Sequence, residues 1–222
     1  MEIKVVKSIL EANEVIASQN REVFSQKGVY VVNLMGSPGA GKTTLLERTI
    51  EYMKEKKRMA VIEGDIATSR DAERIAAHAI PTVQINTGGA CHLDGNMVRG
   101  GLQELDFEQI DLLLVENVGN LVCPAEFRIG EDAKVMIISV TEGDDKALKY
   151  PLMFQVSSVL LLNKIDLLPH LDFDLERFRS DALKVNPHLA VLTISCKTGE
   201  GLDNWFRWLE EKVNKKATSW KR

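Results

Sequence analysis

Cysteine is scarce, with Cys91, Cys123 and Cys196 the only three in 222 residues. They cannot build a disulfide framework, and a reducing compartment is expected. An excess of positive charge is missing as well. Lys and Arg total 28 against 32 Asp and Glu, a formal net charge of −4, which gives no electrostatic reason to expect a nucleic-acid partner. The opening MEIKVVKSILEANEVIASQN alternates charged with apolar residues, the pattern of neither a signal peptide nor a membrane span. A cytoplasmic protein with no membrane association is the expectation. Repeats, low-complexity tracts and proline- or serine-rich linkers are also lacking. With 45% hydrophobic and 27% charged residues, the 222 residues suit one folded α/β domain rather than two.

What is present is alternation. Ile3, Val6, Leu10, Ile16, Val23 and Phe24 keep roughly helical spacing up to Gly28, which predicts an amphipathic helix over 2–27. From Val29 onward, apolar runs at 29–35, 59–63, 82–86, 111–117, 134–140, 158–164 and 190–195 alternate with helical stretches at 42–57, 93–106, 175–186 and 202–217. Near-continuous Val/Ile/Leu runs suit strands covered on both faces. The expected architecture is a mostly parallel, doubly wound sheet of seven strands with helices on both faces. Residues 1–28 would be a helical arm and residues 29–222 the domain itself.

The chemistry begins at Gly36-Ser37-Pro38-Gly39-Ala40-Gly41-Lys42-Thr43, followed by Thr44. This fits G-x-x-x-x-G-K-[ST] in full, placed after the first strand and opening the first helix, as a phosphate loop requires. Backbone N–H groups would surround phosphate oxygens, Lys42 would reach the β- and γ-phosphates, and the Thr43 hydroxyl would ligate Mg²⁺. Asn163-Lys164-Ile165-Asp166 ends the sixth run. The Asp166 carboxylate can accept from both N1–H and the exocyclic N2–H of guanine, a donor pair adenine lacks, so GTP and GDP are the expected nucleotides. Asn163 would support the loop and the Lys164 stem would cover a ring face. Ser195-Cys196-Lys197 would bring a backbone N–H to the guanine O6. Glu116-Asn117-Val118-Gly119 ends the fourth run, where Glu116 can hold Mg²⁺ and the Gly119 N–H can meet the γ-phosphate. Asp65, in Glu63-Gly64-Asp65, reads either as a further Mg²⁺ partner or as a turn residue. Asn120 rather than Gln follows Gly119, and no residue for positioning the attacking water is visible, so slow intrinsic hydrolysis is expected.

Cys91-His92 lies in GGACHLDG, and Cys123 stands four residues beyond Gly119. Thiolate and imidazole suit Zn²⁺ or Ni²⁺ rather than Mg²⁺. Spacing alone leaves open whether these residues are a metal site or merely structural, and three ligands are one short of a tetrahedral set. Water or a second chain would complete it. His78, His170 and His188 have no such company and read as surface residues.

Taken in order, GSPGAGKTT, EGD, NTGGACHLD, LLLVENVGNLVCP, TEGDD, NKIDL and SCKTGEG resemble the HypB-type nickel-insertion GTPases of nickel–iron hydrogenase maturation, which are SIMIBI-class P-loop GTPases. The resemblance spans nearly the whole chain. GACHLD together with ENVGNLVCP carries its specificity, because GTPases in general need neither. It implies a GTP-dependent homodimer that binds nickel or zinc near the dimer interface through Cys91, His92 and Cys123 of both chains. It also implies a HypA-type nickel chaperone as partner, met through the N-terminal region, and nickel delivery to the hydrogenase large subunit. Nucleotide residues fall on Gly36 to Thr43, Glu116, Asn163 and Asp166, with Asp65 beside them. In one departure, the chain opens MEIKVVKSIL, without the cysteine cluster or histidine-rich tract of many members. A separate N-terminal nickel site and a storage role are not expected. A urease-type accessory GTPase would carry a Cys-Pro-His triplet, which is absent here. A switch GTPase with no metal role is the other alternative, and a small-molecule kinase would have no use for Asp166.

Overall fold

The central apolar runs fold as strands covered on both faces, and the two edge runs, at 82–86 and 190–193, are half-buried. In the computed structural model, which describes residues 9–66 and 70–220, Tyr30, Val32 and Leu34 pack into one apolar layer. Val29 and Val31 point into another on the opposite side of the sheet. Among the described residues the strands are β1 (Tyr30–Gly36), β2 (Met59–Asp65), β3 (Thr82–Asn86), β4 (Leu112–Glu116), β5 (Ala133–Ser139), β6 (Val159–Asn163) and β7 (Ala190–Thr193). They form one all-parallel sheet in the order β3-β2-β4-β1-β5-β6-β7. The helices are α1 (Ile9–Gln26), α2 (Lys42–Met53), α3 (Arg70–Ala76), α4 (Gly95–Leu102), α5 (Cys123–Glu126), α6 (Lys146–Lys149), α7 (Pro151–Val156), α8 (Leu175–Val185) and α9 (Leu202–Trp220).

Helices α2 and α9 cover one face, with Leu45, Leu46, Ile50, Trp205 and Leu209 buried beneath them. Phe24 of α1 and Val98 of α4 cover part of the other face, and Phe154 of α7 and Phe178 of α8 cover the rest. Each fully buried side chain of this size contributes about 1.5–3 kcal/mol. In the first layer Trp205 Nε1 donates to Thr49 Oγ1 at 3.0 Å, and that hydroxyl donates to the Leu45 carbonyl at 2.7 Å, so the buried polar groups are satisfied. This arrangement is the expected doubly wound fold. It gathers the carboxyl ends of β1, β2, β4 and β6 at one edge, where open parallel sheets place ligands.

The N-terminal helix departs from its apolar pattern. Residues 2–8 of the expected helix, with Ile3 and Val6, lie outside the described residues, and the described part runs Ile9–Gln26. Its buried face is Asn13, Ala17, Asn20 and Phe24, whereas Leu10 and Val23 are exposed and Val15 is 53% exposed. A helix normally docks through its apolar stripe. This one docks through Phe24 on the apolar layer at its C-terminal end and, over the rest of its length, through Asn13 and Asn20, because what it meets there is backbone. Among the described residues, no helix is long and apolar enough to cross a membrane.

Candidate functional site

The phosphate loop links β1 to the first turn of α2. Strand β1 runs at the centre of the sheet, between β4 and β5. A cleft of about 530 Å³ opens above it, lined by Pro38, Gly39, Gly41, Lys42, Thr43 and Thr44, together with Glu63, Asp65, Asp71, Glu116 and Gly119. Lys42 is buried, and its Nζ donates to the Ser37 carbonyl at 3.2 Å. Ser37 Oγ in turn donates to Glu142, which gives the TEGDD motif a place: it braces the loop from β5. Ala40 is buried beneath the turn.

Thr43 Oγ1 donates to Glu116 Oε1 at 3.0 Å. Register makes Glu63 of β2 the direct neighbour of Glu116 on β4, so two buried carboxylates lie side by side. Burial first, and then the negative charge of Glu116, pushes Glu63 up to about 8. Burial pushes Glu116 up to about 7, while Lys42 pulls both values down. One oxygen on each, Glu63 Oε2 and Glu116 Oε2, is buried without a hydrogen-bond partner. Unpaired buried carboxylate oxygens are costly, and two of them beside a threonine hydroxyl fit a hard divalent cation such as Mg²⁺. Asp65 sits half-buried at the same end of β2. The sequence reading singled out Asp65 and passed over Glu63. Its signal, the in-register pairing with Glu116, exists only once the strands are aligned.

The second set of loops closes over the phosphate loop from β6 and β7. Asn163 is buried; its Nδ2 donates to the Ala40 carbonyl at 2.9 Å, and its Oδ1 accepts from the Cys196 N–H at 3.0 Å. One amide therefore joins three loops. Lys164, at a left-handed φ of 64°, donates to the Gly39 carbonyl at 2.7 Å. Ser195 Oγ donates to Asp166 Oδ1 at 2.6 Å and accepts from the Thr198 N–H at 3.1 Å, which orients the carboxylate. Cys196 is buried in the core, its thiol is pushed up to about 12 by that burial, and it lies outside the group of Cys91, His92 and Cys123. Lys197 is exposed.

The remaining two cysteines meet. Cys91 Sγ lies 2.8 Å from Cys123 Sγ, and the ligand atoms of Cys91, His92 and Cys123 all fall within 4.8 Å of one another. The hydrogen bond from Cys91, then burial, raises the Cys123 thiol above its ordinary value. Burial lowers His92, which keeps its imidazole neutral and able to donate a lone pair near pH 7. His92 stacks on Phe127 with centroids 3.8 Å apart, and Asn117 Oδ1 accepts the Leu93 N–H at 2.9 Å. The sequence offered no hint of either support. His170 and His188 are exposed and His78 is half-buried.

The cluster is stitched to the phosphate loop. Gly119 lies against Pro38, where a Cβ would sit 2.9 Å from Pro38 Cγ. The Asn120 N–H donates to the Gly36 carbonyl at 3.0 Å. Its side chain donates to the Cys91 carbonyl at 3.4 Å and accepts from the Val122 N–H at 2.8 Å. The Asn120 amide is thus engaged with the cysteine segment and with its own loop.

Residues 30–193 match the family described as CobW/HypB/UreG, nucleotide-binding domain. The hydrogenase maturation factor HypB of Azotobacter vinelandii is 51% identical over 94% of this chain and 69% of its own. The crystal structure of the Archaeoglobus fulgidus hydrogenase maturation factor HypB superposes with a TM-score of 0.86 at 38% identity, over 91% of this chain and 99% of that one. The HypB of Helicobacter pylori, crystallised in complex with nickel, gives 0.87 at 36% identity, over 92% and 96%. A P-loop cleft and a paired-cysteine cluster on one parallel sheet, matched over nearly the full chain, have one reading: the chain belongs to the CobW/HypB/UreG nucleotide-binding family and, within it, to the HypB GTPases, the hydrogenase maturation factors.

Proposed function

We propose that this chain is a GTP-driven metallochaperone that holds Ni²⁺, or Zn²⁺ in its place, on Cys91, His92 and Cys123, and that nucleotide state governs the hold. The observation that carries this reading is Asn120, hydrogen-bonded at once to the phosphate loop at Gly36 and to the cysteine segment at Cys91. Phosphate oxygens take backbone N–H groups of the loop from Gly36 to Thr43, Pro38 excepted, Lys42 meets the β- and γ-phosphates, and Asp166 reads the guanine edge. Thr43 and Glu116 are the residues that would hold Mg²⁺, with Glu63 and Asp65 behind them; when bound, it neutralises charge between the phosphate oxygens. The Gly119 N–H would meet the γ-phosphate, so loss of that phosphate is felt four residues before Cys123. Three protein donors leave a tetrahedral cation one short, and a second copy of the chain completes the set in a GTP-bound homodimer. In this reading a HypA-type nickel chaperone is the donor and the hydrogenase large subunit the recipient, which the relatives' role in hydrogenase maturation supports.

Linkage makes the coupling measurable. A typical coupling of about 1–3 kcal/mol changes affinity roughly 5- to 150-fold, so Ni²⁺ affinity is expected to differ by that factor between GDP and a non-hydrolysable GTP analogue. Competition with a chromogenic chelator reads it directly. Equal affinities in both nucleotide states would sink the coupling even if the cysteines bind metal.

Metal affinity is also expected to rise with pH. The raised Cys123 thiol keeps its proton further into the alkaline range than a free cysteine, and the metal must displace that proton. Below the thiol's titration, each pH unit therefore strengthens binding by about tenfold per proton released. Ni²⁺ titrations across neutral to mildly alkaline pH test this; a flat profile in the wild type would mean that Cys123 is not a ligand.

A further inference from the structure

We infer that helix α1 is a clamp across the two segments that carry Cys91–His92 and Cys123, with Asn13 and Asn20 as positioning residues for the metal donors; this rests on reading that cluster as a metal site.

The bonds are specific to those segments. Asn13 Oδ1 accepts the Gly95 N–H at 2.8 Å while its Nδ2 donates to the Arg128 carbonyl at 2.8 Å. Two turns along the same face, Asn20 Nδ2 donates to the Gly95 carbonyl at 2.8 Å and to the Ile129 carbonyl at 3.1 Å. Both peptide groups of Gly95, three residues past His92, are therefore held from α1. The same two side chains hold the backbone five and six residues past Cys123. Arg99 of α4 closes the set by donating to Asn20 Oδ1 at 3.2 Å and to the Ile16 carbonyl at 3.2 Å.

Glycine makes the approach possible on both sides. A Cβ on Gly95 would sit 3.1 Å from Asn13 Oδ1 and 3.2 Å from the Ala17 nitrogen. A Cβ on Gly130, whose φ is +99°, would lie 2.8 Å from the Ala17 carbonyl oxygen. The two segments thus meet α1 backbone to backbone, with Ala17 between the asparagines. On the far side they meet each other through His92 stacked on Phe127, the residue before Arg128. The connections close a ring: Asn13 to Gly95, back along the chain to His92, across to Phe127, on to Arg128, and to Asn13 again.

Adhesion alone does not account for this choice of residues. The apolar residues Ile9, Leu10, Val15 and Val23 stay exposed on α1 while Asn13 and Asn20 are buried at 6% and 2%. Burying an amide is unfavourable unless every bond is made, and these are made to two different segments at once. What such bridging fixes is a spacing. Supports that orient metal ligands typically change affinity by about 10- to 100-fold when removed.

The test uses the full chain, with Ni²⁺ as probe and two readouts: affinity by chelator competition and the sulfur-to-nickel charge-transfer band. Asn13→Ala combined with Asn20→Ala is expected to weaken Ni²⁺ about 10- to 100-fold and to move or weaken the band, with GTP affinity unchanged. Asn13→Asp keeps the acceptor for the Gly95 N–H and sets a carboxylate against the Arg128 carbonyl, so it breaks the bridge without emptying the site. It is expected to act in the same direction, and it decides the matter if the double variant fails to fold and bind GTP. Cys123→Ala separates the two ideas. If Cys123→Ala weakens Ni²⁺ while Asn13→Asp leaves affinity and band as in the wild type, the clamp is overturned. If Cys123→Ala has no effect either, the metal reading itself fails and takes the clamp with it.

Discussion

Asp166→Asn is expected to convert a guanine site into a xanthine site. Asp166 is held by Ser195, whose hydroxyl donates to Oδ1 at 2.6 Å, so one oxygen is fixed in place and the other is left for a base. In the proposed reading the carboxylate would meet N1–H and the exocyclic N2–H of guanine through charge-assisted bonds of about 1.5–3 kcal/mol each. In the variant, the Ser195 hydroxyl keeps the amide oxygen where Oδ1 was, and the amide nitrogen takes the outer position. There it opposes the N2–H donor of guanine but faces an acceptor in xanthine, which carries a carbonyl at that carbon. Loss of one or both bonds plus a donor–donor clash predicts that GTP binding falls by about 10²- to 10⁴-fold, following from those bond strengths. Xanthosine triphosphate should gain in parallel. Competition binding with GTP, XTP and ATP on wild type and variant reads both changes. A wild type that prefers ATP would remove Asp166 from base recognition, and a variant that still prefers GTP would show that another group reads the exocyclic amine.

The central strands were legible in the chain because they are buried on both faces, and a run such as VLLLN then stays apolar until it reaches the ligand edge. Polar residues return at that edge, as Asp65, Glu116 and Asn163. The phosphate and base loops were legible for a related reason: G-x-x-x-x-G-K-T and N-K-x-D have their chemistry in contiguous residues. Two kinds of feature were not. Glu63 becomes a partner of Glu116 only through the β2–β4 register, which no local pattern encodes. The buried face of α1 was hidden because periodicity weighs apolar residues, and Asn13 and Asn20 count against burial until it is known that the helix meets backbone carbonyls and N–H groups rather than side chains. The cysteine cluster lies between these cases. Its residues were visible as candidates, but a separation of 32 positions between Cys91 and Cys123 is closed only by the sheet order that sets β4 beside β2.

Lys42→Ala is expected to abolish GTP hydrolysis while leaving the cysteine cluster intact. Lys42 is the buried cation beside the two carboxylates of the cleft: its charge pulls down Glu63 and Glu116, which burial has pushed up to about 8 and about 7. Without it both carboxylates hold their protons further into the alkaline range and hold a divalent cation less well. The nucleotide loses the ammonium aimed at its β- and γ-phosphates, where negative charge gathers during transfer. Removing a single preorganised donor of transition-state charge typically costs about 10²- to 10³-fold in turnover. Starting from the range of about 10⁻⁴ to 10⁻² s⁻¹ for an unassisted switch GTPase, such a loss leaves nothing above background. Lys42→Arg should not restore it, since a planar guanidinium fork cannot replace a compact ammonium donating to the Ser37 carbonyl at 3.2 Å inside a buried turn. Single-turnover hydrolysis of labelled GTP measures the effect, and Ni²⁺ affinity of the nucleotide-free variant checks the fold, because Lys42 touches none of Cys91, His92 and Cys123. Turnover at the wild-type rate in Lys42→Ala would show that the phosphate loop binds nucleotide without driving its hydrolysis. Unassisted wild-type turnover above about 10 s⁻¹, the range of helped GTPases, would show that a water-positioning group operates despite the engagement of Asn120 with the cysteine segment.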